Sequence, residues 1–254
     1  MQSKSLLVSL LMLWIFLQPI LSIEDEIQVY TDSMNAPGKY GVELHSNYVN
    51  EGSTKPEYRG ELPTDHVTQA VTEFAYGLNK NFEAGLYFPP MALAPDGSIY
   101  ENGIRFRIKF IGDSLLENRL FWGLNTEVGY STKRVSDTSY NLEFRPIIGY
   151  KADDWLISFN PNMEAPLSGK SSMPDFDPCL KAGYYVKKGI LLGFEEYLGL
   201  GPLNQMNSLR DAESLFFLAT DISLEKLNLN FGVGRGNQNM RDKGVVKMIF
   251  TIPF

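Results

Sequence analysis

Hydrophobic and polar residues alternate with a period of two along most of the chain after Ile23, a pattern that excludes an amphipathic helical fold. The clearest stretch runs from Ile104 to Phe110. Ile104, Phe106, Ile108 and Phe110 fall on one side, and Arg105, Arg107 and Lys109 on the other. Successive side chains of a strand point to opposite faces, so this segment has one apolar and one basic surface. Trp155, Ile157 and Phe159 likewise oppose Leu156, Ser158 and Asn160. Asn141, Glu143 and Arg145 form the polar side of residues 140–145, and Asn228 and Asn230 that of residues 227–231.

Twelve such segments follow one another, at about 39–49, 67–77, 81–89, 103–111, 119–130, 138–150, 154–164, 180–187, 190–200, 213–222, 227–235 and 245–254. Most have the length a tilted strand needs to cross a bilayer. Very short connections (78–80, 151–153, 188–189, 223–226) alternate with longer polar ones (50–66, 91–102, 131–137, 165–179, 201–212, 236–244), and residues 112–118 form the longest of the short set. That rhythm predicts an all-β fold, an up-and-down antiparallel transmembrane barrel of about twelve strands. Alternation by itself does not say which face is inside. Aromatic bulk decides: Phe74, Phe82, Phe106, Trp122, Phe144, Trp155, Phe159, Phe194, Phe216 and Phe231 are too large to fill a small bore together and are expected to face lipid.

Both ends of the chain carry further signals. Lys4 precedes an apolar run from Leu6 to Leu17, Pro19 breaks it, and Ser22 is a small residue suited to cleavage. Residues 1–22 are therefore expected to be a cleavable signal peptide, too short in its apolar run for a spanning helix. Residues 23–38 are read as a short N-terminal periplasmic segment, lying at the periplasmic side or folded against the lumen, and 39–254 as the barrel. At the other end Val246, Met248, Phe250, Ile252 and Phe254 form an apolar row. The terminal Phe254 resembles the insertion signal of bacterial outer-membrane barrels, which implies recognition by the barrel-assembly machinery. A closing strand must pair with the first, because lipid tolerates no open edge. Net charge is −7, which argues against a nucleic-acid partner, and the single Cys179 rules out an intrachain disulfide or a multi-cysteine metal site.

Several stretches, Ile27 to Tyr30, Gly41 to His45 with Asn47-Tyr48, Phe74 to Gly77, Phe82 to Pro89, Arg145 to Gly149, Glu195 to Tyr197 with Gly201-Pro202, and Gly232 to Gly236, together resemble a family of uncharacterised proteobacterial outer-membrane β-barrels. That family is loosely similar to barrels regarded as transporters in the degradation of phenol and other aromatic compounds. The resemblance implies the barrel fold and brings no established activity.

With the apolar faces outward, parity places Glu43, Glu73, Glu83, Glu127, Glu143, Glu164, Glu195 and Asp221 inside, together with Arg105, Arg107, Lys109, Arg145, Lys181 and Lys247. Arg105, Arg107, Lys109, Glu127, Glu143, Arg145 and Glu195 are the candidate lumen-lining residues. Two readings stand: a network of ion pairs that partly fills the bore, or a narrow aqueous path whose basic row selects anions. On the second reading Arg107→Glu shifts ion selectivity. No catalytic residues are expected. His45 and Ser46 point to opposite faces, there is no Gly-x-Ser-x-Gly elbow, and His45 reads as a hydrogen-bonded wall residue. Gly232 to Gly236 opens no helix and is not a phosphate cradle. No metal site or cofactor is expected. The sequence thus predicts a protein of the bacterial outer membrane, in contact with its lipid and serving small solutes as a narrow channel or transporter. Its rivals are a barrel with an enzymatic or structural role and a soluble periplasmic β-barrel holding an apolar ligand.

Overall fold

The computed structural model describes residues 26–168 and 173–254; the expected leader, 1–22, lies outside them. Its strands are β1 Tyr40–Glu51, β2 Thr68–Gly77, β3 Phe82–Tyr87, β4 Met91–Leu93, β5 Ile99–Glu101, β6 Gly103–Ile111, β7 Leu120–Ser131, β8 Tyr140–Lys151, β9 Trp155–Asn160, β10 Met163–Pro166, β11 Asp175–Phe176, β12 Cys179–Lys187, β13 Ile190–Gly199, β14 Glu213–Ser223, β15 Asn228–Gly236 and β16 Gly244–Pro253. Each of the twelve sequence segments overlaps one wall strand, with ends differing by a few residues, and all neighbours pair antiparallel. The wall order is β1, β2, β3, β6, β7, β8, β9, β12, β13, β14, β15, β16. It closes through β1 on β16, from Gly41 opposite Pro253 to Val49 opposite Val245. Beyond the last rung, the Phe254 amide donates to the Tyr40 carbonyl at 2.8 Å. Closure leaves the twelve-strand wall without an unpaired edge, the condition a strand protein must meet in lipid.

The four remaining strands extend the wall past one rim, and proline explains the breaks. β9 and β10 share one register against β8, Phe159 opposite Ile148 and Met163 opposite Phe144, but Pro161 interrupts them. Pro178 separates β11 from β12 in the same way. Proline has no N–H to give to a ladder, so a continuous ribbon divides there. The segment expected at 81–89 ends early, at Tyr87, because Pro89 and Pro90 follow it.

Burial alternates along most of the wall strands, and all ten aromatic residues assigned to lipid lie on the exposed side. At the rim carrying the short turns, Tyr40 packs at a tilt on Tyr76 and Phe82 on Phe110, while Phe110 meets Trp122 and Trp155 meets Tyr184 edge to face. Tyr130 meets Tyr140 near the other. An apolar band edged by aromatic rings is the surface that outer-membrane barrels turn to the bilayer.

The interior departs from a simple polar lining. Val49, Leu215, Phe217, Met240 and Val245 form an apolar cluster toward the long-loop end with Ile27. Ile111, Phe121, Ile147, Leu156 and Leu191 form another toward the short-turn end with Tyr30. Glycines make room for the inward rings: a Cβ on Gly149 would stand 2.0 Å from Phe121 Cζ and 2.6 Å from the Ile157 carbonyl oxygen. Because the second contact is backbone, the wall cannot yield by a rotamer change. Gly149→Val is expected to cost about 3 kcal/mol, the upper range for an overpacked core, seen as a lower urea midpoint in detergent micelles.

Long loops close over the far rim. Arg241 reaches Glu61 at 2.6 Å, Glu57 at 3.0 Å, the Ser53 hydroxyl at 3.0 Å and the Lys55 carbonyl at 3.0 Å. One guanidinium thus ties the β15–β16 loop to the β1–β2 loop, with fork geometry that lysine would not supply. Arg241→Ala is expected to speed protease cleavage of residues 52–67 on the order of tenfold, equivalent to about 1.4 kcal/mol in local opening. Unchanged cleavage would show that the tie holds nothing.

Candidate functional site

The chain enters the barrel before it builds it. Residues 26–35 run down the inside of the wall toward the short-turn end. The path then doubles back at Gly38 (φ 75°), whose amide donates to the Gly77 carbonyl at 2.8 Å, and continues into β1. The segment forms no strand of its own. Its backbone is held by side chains of the wall.

Tyr30 is the centre of this arrangement. Its amide donates to Asn160 Oδ1 at 2.7 Å, and its carbonyl accepts from Ser158 Oγ at 2.6 Å and Asn160 Nδ2 at 3.2 Å. Its hydroxyl lies 2.7 Å from that of Tyr87 and donates to Glu127 Oε1 at 3.3 Å. Three cations crowd its ring: Lys109 and Arg145 at 4.7 Å from the centroid and Arg107 at 5.8 Å. Such contacts reward a tyrosine over an aliphatic residue, because the ring face attracts cations and the hydroxyl still finds partners.

Contacts continue on both sides of Tyr30. Lys247 Nζ donates to the Ile27 carbonyl at 3.0 Å, Arg145 to that of Gln28 at 3.1 Å, and Lys109 to that of Ser33 at 2.6 Å. Glu83 accepts from the Asn35 amide at 2.6 Å and from its side chain at 2.8 Å. Glu26 lies between Arg105 (3.6 Å) and Arg145 (3.8 Å). His45, Asn125, Ser158, Asn160 and Lys247, from four wall strands, expose essentially none of their surface. At this level the bore is filled.

All seven charged candidates from the sequence face this interior, and most are already paired. Arg107 donates from Nε to Glu73 at 2.5 Å and bonds Glu83 at 2.8 Å. Arg145 holds Glu143 at 2.6 Å, and Arg105 lies 3.5 Å from Glu127. Glu195 takes Lys181 at 3.2 Å, Tyr197 at 2.5 Å and Lys247, while Lys181 also reaches Asp221 at 2.6 Å. The basic row of β6 is therefore not a free ladder of positive charge. Arg107 is neutralised by two glutamates, and Lys109 is spent on the segment. His45 is a buried wall residue as expected, with Nε2 in ion-pair range of Glu43 (3.5 Å) and Glu73 (3.8 Å) and Nδ1 without a hydrogen-bond partner among the described residues. Glu26, Tyr30, Tyr87, Ser158 and Asn160 complete the site without having been singled out from sequence. The polar-apolar alternation of Glu26 to Tyr30 is strand-like, but nothing in it says that the segment lies inside the barrel.

No family model matches the chain, and no curated protein matches it by sequence. Solved structures do match in fold. An outer membrane channel from Pseudomonas putida F1 superposes with a TM-score of 0.60 at 10% identity, over 90% of this chain and 100% of that one. The NanC porin gives 0.54 at 8% identity over 84% and 98% of the two chains. A KdgM porin in complex with disordered oligogalacturonate gives 0.53 at 9% identity over 84% and 99%. The fold is that of an outer-membrane barrel. Identity this low extends the likeness to architecture and no further.

Proposed function

We propose that this protein is a small-solute channel of a bacterial outer membrane, closed by residues 26–35 and open when they leave the bore. The carrying observation is the filled bore itself, with Tyr30 at its centre. Two features support a reversible closure. The segment is held by side chains and contributes no rung to the barrel ladder, so its departure breaks no wall pairing. Arg107, Lys181 and Lys247 also keep carboxylate partners on the wall, so withdrawal strands few charges.

At the level of Glu26 the balance does change. Arg105 and Arg145 keep Glu127 and Glu143 but lose the Glu26 carboxylate, which favours a carboxylate solute in its place. The barrel family that the sequence resembles is loosely similar to barrels of aromatic-compound degradation, which makes an aromatic acid the natural first probe. Proteoliposome swelling tests the proposal. A chain lacking residues 26–35 is expected to admit a small neutral sugar and to admit benzoate faster than the sugar, while the full chain swells near the protein-free rate. Equal, negligible swelling of both would mean a structural barrel.

A further inference from the structure

One group of buried titratable side chains lies on the wall and makes no hydrogen bond to the segment, though its histidine lies in the electrostatic range of Glu26. Glu43 and His45 are two apart on β1 and so share its inner face; the register of the β1–β2 pair sets Glu73 directly opposite Glu43. Like charges in directly opposed positions repel and call for a cation between them. His45 Nε2 stands 3.5 Å from Glu43 Oε2 and 3.8 Å from Glu73 Oε2, and the three ligand atoms lie within 4.8 Å of one another. These separations are in ion-pair range and longer than a usual N···O hydrogen bond of about 2.9 Å. They also suit a different arrangement. Around an ion bound at about 2.1 Å, the corners of a tetrahedron lie about 3.4 Å apart.

Two further observations point the same way. The His45 ring is fully buried, no strict hydrogen bond reaches either nitrogen among the described residues, and Nε2 faces only the two carboxylate oxygens, an arrangement that a shared cation between the three would complete. Arg107 binds Glu73 through Oε1 alone and leaves Oε2 directed at the imidazole, the way an outer-shell group orients a ligating carboxylate. We infer that Glu43, His45 and Glu73 form a three-ligand site for a divalent first-row transition-metal cation of the Zn²⁺ type. Two carboxylates and a neutral imidazole match a double positive charge, and the mixed nitrogen and oxygen set favours such an ion over Mg²⁺ or Ca²⁺. The Glu43 side chain, 21% exposed, gives the ion its way in.

Metal-stripped full chain, folded in detergent micelles, is titrated with Co²⁺ as a spectroscopic stand-in. One Co²⁺ per barrel is expected, with the visible absorption of a four-coordinate centre, displaced by Zn²⁺. His45→Gln is expected to abolish that absorption. Glu43→Gln, at the more open ligand, is expected to weaken binding by more than the roughly 10-fold that loss of an outer-shell partner costs. Heat-modifiable electrophoretic mobility confirms that each variant is folded; if His45→Gln does not fold, Glu43→Gln carries the test. Folded wild-type protein that binds no stoichiometric Co²⁺, or binding unchanged in the folded variants, would overturn the site and leave an imidazolium between two carboxylates. The measurement is made on the closed barrel and involves no solute flux.

Discussion

Arg107→Ala is expected to destabilise the barrel by about 3–5 kcal/mol, the cost of breaking a buried ion pair from one side. The arginine is almost wholly buried and holds two equally buried glutamates, Glu73 and Glu83, from neighbouring strands. Deleting it leaves both carboxylates without their shared cation in a place that water does not reach. Arg107→Glu goes further, adding a third carboxylate. Loss of the folded, heat-modifiable form is therefore expected before any change in ion selectivity appears, which reverses the expectation drawn from the basic row alone. Replacing all three residues (Arg107→Met, Glu73→Gln and Glu83→Gln) is expected to restore most of the lost stability, since removing a whole buried charge group costs far less than splitting it. Urea unfolding in micelles measures each variant. If Arg107→Ala loses less than about 1 kcal/mol, the range of exposed pairs, the trio carries little of the fold.

Removing residues 26–35 is expected to open the bore while the barrel stays folded. Two opposed quantities of like size explain why. Ordering ten residues costs about 1–2 kcal/mol of backbone entropy each. Against this stand ten hydrogen bonds from the segment to the wall, at about 0.5–1.5 kcal/mol each. Burial of Ile27, Val29 and Tyr30 adds about 1.5–3 kcal/mol apiece. The docked segment thus sits near balance, whereas the wall strands are held by continuous ladders. Tyr30→Ala, which removes the ring and both hydroxyl contacts, is expected to shift the same balance toward the open state without shortening the chain.

Much of the wall was legible because a barrel strand obeys two local rules, alternation and length. Phe106 faces lipid and Arg107 the bore for the same reason, adjacency on one strand. Breaks such as Pro161 and Pro178 were visible as residues but not as interruptions of one ribbon, since that depends on which strands pair. What parity could not give was partnership. Arg107 reads as a free positive charge until β2 and β3 bring Glu73 and Glu83 to it. Phe121, Ile147 and Leu156 lie on the inner side, where alternation leads one to expect a polar lining, and the docked segment's Tyr30 and Met34 make that side a packed core. Tyr30 was hidden for the same reason: its ten-residue segment touches wall strands far away in sequence, from β3 to β16.

Single-channel conductance of the full chain and of the chain lacking residues 26–35, in planar bilayers under one salt and voltage, tests the closure most directly. Long silent periods are expected from the full chain, and steady unitary steps from the shortened one, suppressed again by a synthetic peptide of residues 26–35. Equal conductance from the two barrels would contradict the account.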